Sequence, residues 1–136
     1  MIGIVDYGMG NLHSVYSAFS FLGTEVKMCC SPNELDKVDK IVIPGVGAFK
    51  DCMDSLEKHK LIASLERNVI TRRKPTLGIC LGMQIMAMKG YEGGAHNGLG
   101  WFDAEIILLK PTGKNRVPNI GWVEINYKKN KGNDVI

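Results

Sequence analysis

Pro75-Thr76-Leu77-Gly78-Ile79-Cys80-Leu81-Gly82-Met83-Gln84 is the stretch that decides the fold. Its first half is a short apolar run that reads as a strand over 75–79, and Met83-Gln84-Ile85-Met86-Ala87-Met88 reads as helix. Gly78 and Gly82 lie two residues either side of Cys80, so both arms of the turn can approach closely. The cysteine is then left exposed at the carboxyl end of the strand. This is the backbone logic of a nucleophile elbow, with sulfur in place of a serine hydroxyl. The plainer alternative is a small buried cysteine between two structural glycines.

Working outward, four apolar runs alternate with turns and helical patterns. That order predicts an α/β fold, an open and mostly parallel sheet with helices on its faces. The first strand covers 2–6 and leads into the loop Tyr7-Gly8-Met9-Gly10-Asn11. Leu12, Val15, Tyr16, Phe19 and Leu22 recur at helical spacing, with Asn11 as N-cap and Gly23 as the stop. A second strand is expected over 25–29, then a turn at Pro32-Asn33, then a third strand at Lys40-Ile41-Val42-Ile43 running into Pro44-Gly45-Val46-Gly47-Ala48-Phe49. Phe49, Cys52, Met53 and Leu56 form a helical stripe, continued by Leu61, Ile62, Leu65 and Val69. After the elbow helix comes a glycine-rich loop from Gly90 to Gly98. Residues 101–109 and 122–127 have the apolar and β-branched content of strands, placing an antiparallel edge or hairpin here.

The 136 residues correspond to a single domain at most. A formal charge of +3, from 17 basic and 14 acidic residues spread along the chain, argues against a nucleic-acid partner. No apolar run reaches membrane-spanning length, and the N-terminus lacks the order of a secretory leader. Cys29, Cys30, Cys52 and Cys80 match no zinc spacing. Reduced thiols in the cytoplasm are the expectation, with no metal and no cofactor. The closing Asp134-Val135-Ile136 reads as the start of an element, which predicts a domain that continues past this chain with its C-terminal part missing.

Sulfur is nucleophilic even at a few per cent thiolate, and backbone N–H groups at the start of the following helix would stabilise charge on Cys80. The same donors can face an oxyanion, Leu81 N–H first among them. A second donor set is offered by Gly45, Val46 and Gly47, in a loop that also leaves the carboxyl end of a strand. Glycines around Val46 let a peptide turn its N–H inward, although a tight strand-to-helix turn would need glycine equally. Gln84 is four residues past Cys80 on the same helix face, either a substrate-binding amide or an exposed polar residue. Glu92 would suit an ammonium group or be solvated.

Together these strings make the resemblance specific. Ile4-Val5-Asp6-Tyr7-Gly8-Met9-Gly10-Asn11-Leu12, Ile43-Pro44-Gly45-Val46-Gly47-Ala48-Phe49, the elbow through Gln84, Gly98-Leu99-Gly100 and Val117-Pro118-Asn119-Ile120-Gly121-Trp122 resemble the glutaminase subunits of imidazole glycerol phosphate synthase. Those are class I, triad-type glutamine amidotransferases. The likeness runs through all 136 residues and implies a flavodoxin-like amidotransferase domain over 1–136, the N-terminal two thirds of a longer one. It implies that Cys80 attacks the side-chain amide of L-glutamine, forms a γ-glutamyl thioester and releases ammonia, and that water then frees glutamate. It implies Val46, Gly47 and Leu81 as oxyanion residues and Gly45, Gln84 and Glu92 as substrate-binding residues. The stretch Ala87-Met88-Lys89-Gly90-Tyr91 before Glu92 is less acidic than the family pattern.

The resemblance also implies a partner, a cyclase subunit with a (β/α)8 barrel, joined in a heterodimer. Ammonia would pass through that barrel to a phosphorylated ribulosyl-imidazole nucleotide, giving imidazole glycerol phosphate and aminoimidazole carboxamide ribotide in histidine biosynthesis. Asn119, Ile120, Gly121 and Trp122 match the segment facing the cyclase, and Gly10 and Asn11 match a region near it. Their plainer roles are a strand core for Trp122 and a helix cap for Asn11. The family's His-x-Glu pair is absent: His13, His59 and His96 match neither position, so the general base is expected beyond Ile136. Two other readings stand, a paralogous glutaminase serving surface-glycan sugar modification and a non-catalytic amidotransferase-like binding domain.

Overall fold

Ile2–Val5 is buried along its whole length, as a strand must be when helices cover both faces of its sheet. In the computed structural model, which describes residues 1–111, 113, 117–118, 120–122 and 124, this strand (β1) lies second in a four-stranded sheet. The elements that follow it are α1 (Leu12–Phe21), β2 (Val26–Cys29), α2 (Pro32–Leu35), β3 (Lys40–Gly45), α3 (Phe49–Lys58) and α4 (Ile62–Glu66). A π-helical turn, Arg67–Thr71, leads to β4 (Thr76–Cys80) and the one-turn helix α5 (Leu81–Gln84). The sheet order is β2-β1-β3-β4, and every pairing in it is parallel.

Side chains alternate across the sheet and so divide the core in two. Ile4 and Val42 face α1, packing against Leu12, Val15 and Phe19. Val5, Ile41 and Ile43 face the other way, onto Phe49, Leu56, Leu61 and Leu65 of the α3–α4 side. The N-terminus of α1 is capped as its sequence suggests, with Asn11 Oδ1 accepting from Ser14 N–H at 3.2 Å.

Several elements depart from the sequence reading. The turn at Pro32-Asn33 is a short helix, with proline in its first turn where no N–H is needed. Strand β3 runs two residues further than expected, through Pro44 and Gly45. The helix expected over 83–88 stops at Gln84, and Ala87–Gly90 is strand β5 of a second sheet, with β6 (His96–Asn97) antiparallel and β7 (Phe102–Ile106) parallel to it. The carbonyls of Ile85, Met86, Ala87 and Met88 are taken by the N–H groups of Leu99, Trp101, Gly100 and Gly98 at 2.7–3.1 Å, and those bonds outweigh helix propensity. Of the strand expected over 101–109 only Phe102–Ile106 forms. In the run 122–127, residues 123 and 125–127 lie outside the described residues.

Candidate active site

Pairing of β3 with β4 sets Gly45 directly beside Cys80. Both are the last residues of their strands, at the carboxyl edge of a parallel sheet where loops can carry a ligand site. Cys80 has φ 54° and ψ −116°, a conformation that costs a side-chain-bearing residue about 1–3 kcal/mol. Surrounding packing holds it there. A Cβ added to Gly82 would lie 1.8 Å from the Ile43 carbonyl oxygen, and one added to Gly78 would lie 2.5 Å from Met83 Cα. A Cβ on Gly45 would lie 2.6 Å from Gly82 N. The two strands and the elbow therefore touch backbone to backbone, and the cysteine is turned outward and exposed.

An open cleft of about 500 Å³ lies over this edge. Val46, Gly47, Cys80, Leu81, Gln84 and Glu92 all line it. Val46 and Gly47 are exposed, and Gly47 takes a positive φ of 95° that turns the chain toward α3. Leu81 buries its side chain as the first residue of α5, leaving the N–H groups of the helix's opening turn unpaired within it. With only four residues, α5 contributes these donors more than any macrodipole. Gln84, half buried, ends the same turn.

The other three thiols differ from Cys80 in surroundings. Burial pushes Cys29 up to about 11 and raises Cys52, and the Glu34 carboxylate raises Cys30 by accepting its S–H at 3.2 Å. None of these three lines the cleft, which leaves Cys80 as the candidate nucleophile among the described residues.

A family model, "Glutamine amidotransferase class-I", matches residues 3–130. The chain belongs to the class-I glutamine amidotransferases. Among proteins similar to it, "Imidazole glycerol phosphate synthase subunit HisH 1" of Campylobacter jejuni is 40% identical over 129 residues, 95% of this chain and 64% of that protein. The HisH subunit of Aquifex aeolicus is 45% identical over 127 residues, covering 93% and 60%. The chain thus spans about 60% of the length of the curated relatives it matches. A solved structure, "Crystal structure of glutamine amidotransferase", aligns with a TM-score of 0.64 at 18% identity over 76% of this chain and 54% of that one, a likeness of fold.

For this amidotransferase domain the sequence reading missed the hold on Glu92. Its carboxylate accepts the Phe49 N–H at 2.9 Å, so it caps α3 from 43 residues away while facing the cleft. Glu92→Gln keeps an acceptor for that N–H and Glu92→Ala removes it. Thermal melts should show Ala costing about 1 kcal/mol and Gln much less.

The remaining residues are more dispersed. Gly10 approaches β3, since a Cβ there would sit 3.1 Å from Pro44 Cβ, and exposed Asn11 caps α1. Ile120, Gly121 and Trp122 are exposed, and Trp122 is bare at 105% relative exposure instead of packed in a strand core. Asn119 lies outside the described residues. His13 is on α1, His59 ends α3 with Nδ1 2.8 Å from the Ser55 carbonyl, and His96 is in β6. Among the described residues none of the three lines the cleft. No described cluster of three or more His, Cys, Asp or Glu side chains could hold a metal ion, and no described helix is long and apolar enough to cross a membrane.

Proposed function

We propose that this chain is the greater part of a glutaminase that supplies ammonia to a synthase of histidine biosynthesis. The observation that carries the reading is the outward-turned Cys80 beside Gly45, with Val46, Gly47, Leu81 and Gln84 in one cleft. Cys80 Sγ attacks the side-chain amide carbon of L-glutamine. Negative charge moves to the amide oxygen, where N–H groups of Leu81 and of the 46–47 loop receive it. Gln84 and Glu92 hold the amino-acid end. Collapse of the tetrahedral adduct expels ammonia and leaves a γ-glutamyl thioester on Cys80, which water hydrolyses to glutamate.

Each cycle needs a group to take the thiol proton and give one to the departing nitrogen. We assign it to a His-x-Glu segment beyond Ile136, in a domain of which residues 1–136 form the N-terminal two thirds. The similarity to HisH subunits supports a (β/α)8 cyclase as partner, with Gly10, Asn11 and the exposed Ile120, Gly121 and Trp122 as the residues assigned to that contact. A large bare tryptophan is the kind of anchor that dominates such interfaces. The cytoplasm is the compartment that suits four free thiols.

Glutamate release measured with and without that cyclase tests the assignment. Stimulation by the cyclase is expected. Equal rates with and without it would contradict coupling to this synthase and favour the paralogous glycan pathway, and a protein whose longer form lacks the His-x-Glu pair would be a binding domain.

A further inference from the structure

Tyr7 is wholly buried in a core otherwise built from aliphatic side chains, cysteines, methionine and Phe49. A phenol placed there must find partners for its hydroxyl. It donates to the Pro44 carbonyl at 2.5 Å and lies 3.0 Å from Cys52 Sγ on α3. The hydroxyl has one proton, so once that proton is given to Pro44 the thiol must be the donor to Tyr7. The result is a buried relay, Cys52 S–H to Tyr7 O–H to Pro44 C=O, in which each bond polarises the next. Burial and the Cys52 thiol push Tyr7 far above the usual tyrosine range, and burial raises Cys52, so both remain proton donors.

The place of Pro44 gives this relay its consequence. In a parallel strand, alternate residues aim their backbone groups at opposite neighbours. Ile41 N–H bonds the Pro75 carbonyl on the β4 side and Lys40 N–H bonds Met1 on the β1 side, so Pro44, like Lys40 and Val42, faces β1. The β1–β3 register ends at Ile4 and Val42. Pro44 therefore loses no ladder bond by lacking an N–H, but its carbonyl would be orphaned without the Tyr7 hydroxyl. In a planar trans peptide the C=O and N–H point opposite ways. Holding the Pro44 oxygen toward β1 aims Gly45 N–H toward β4 and sets the direction in which the 46–47 loop leaves the strand. A Cβ on Gly10 would lie 3.1 Å from Pro44 Cβ, and Met9 Cε would lie 3.4 Å from a Cβ on Gly47, so the 9–10 turn runs close to the 44–47 loop.

We propose that Tyr7, backed by Cys52, is a positioning residue for the 44–47 loop, orienting the peptides that face the Cys80 cleft. For catalysis this rests on the glutaminase reading, and for loop geometry it does not.

The test is Tyr7→Phe in the purified protein, read two ways. Amide hydrogen exchange at Gly45, Val46 and Gly47 reports the loop directly and is expected to quicken about 10-fold or more. Alkylation of Cys80 by a diazoketone analogue of glutamine reports the site. Its limiting rate should fall about 10–100-fold with the half-saturating concentration unchanged, because the loop is misplaced and not removed. Iodoacetamide, which needs no oxyanion contact, should alkylate Cys80 at the wild-type rate. Wild-type exchange at all three amides, or quickened exchange with an unchanged limiting rate, would overturn the proposal. If the wild-type protein shows no glutamine-protectable alkylation while Tyr7→Phe still quickens loop exchange, the positioning role stands and the glutaminase reading falls. Should Tyr7→Phe fail to fold, Cys52→Ala and Cys52→Ser take its place. Faster loop exchange in the alanine variant with rescue by the serine hydroxyl supports the relay, and wild-type exchange in both overturns it.

Discussion

Cys80→Ala is expected to abolish glutamine hydrolysis, by about 10⁴-fold or more, while glutamine still binds. The size of the loss follows from covalent catalysis. No described neighbour in the cleft offers a second nucleophile of comparable strength, and Cys29, Cys30 and Cys52 are held as thiols elsewhere. Retained binding follows because the residues assigned to the amino-acid end, Gln84 and Glu92, are untouched. Alanine also keeps the Cβ that makes φ 54° costly, so the backbone should hold its turn and melt close to wild type. Cys80→Gly is the informative companion. It loses the same sulfur but relieves the strained conformation, and should gain about 1 kcal/mol in stability as activity disappears. Opposite signs for stability and activity at one position would mark strain kept for function. Persistent hydrolysis in either variant would remove Cys80 from the mechanism.

Gly82→Ala is expected to be the most damaging single-methyl change in the domain. The new Cβ would lie 1.8 Å from the Ile43 carbonyl oxygen and 2.7 Å from the Ile43 carbonyl carbon. Both are backbone atoms of β3, which is paired on both edges and cannot swing aside like a flexible side chain. Overpacking of this kind costs about 3 kcal/mol or more, because relief requires α5 to lift from the sheet. A melting temperature lower by about 10 °C or more follows, if the variant folds at all. Gly8→Ala is the control, since nothing lies within 4 Å of a Cβ there and its cost is confined to a positive φ of 81°. Comparable losses in the two variants would mean that close packing is not what holds the elbow.

Much of this was legible in the residues, and the exceptions share a cause. Glycines two positions either side of Cys80 announce a turn with crowded arms, and the observed contacts of Gly78 and Gly82 give the reason for each. The apolar runs around Ile4, Val42 and Leu77 announce strands, and the parallel order follows from the helices between them. The run 85–88 misleads because its helical propensity is local, whereas its carbonyls are claimed by residues 98–101. Tyr7 and Glu92 make their deciding contacts 37 and 43 residues away, and no periodicity records such a pairing. A tyrosine two residues past a buried strand was the available signal, because a phenol in that position must place its hydroxyl.

The thioester route requires that Cys80 Sγ become covalently joined to the γ-glutamyl group of the substrate during turnover. Acid quenching of the protein during turnover of L-glutamine, followed by intact mass and peptide mapping, measures this directly. The predicted result is a single γ-glutamyl adduct on the peptide carrying Cys80, discharged by hydroxylamine and absent from Cys80→Ala. An adduct on Cys30, or turnover of glutamine with the Cys80 thiol always found free, would contradict it.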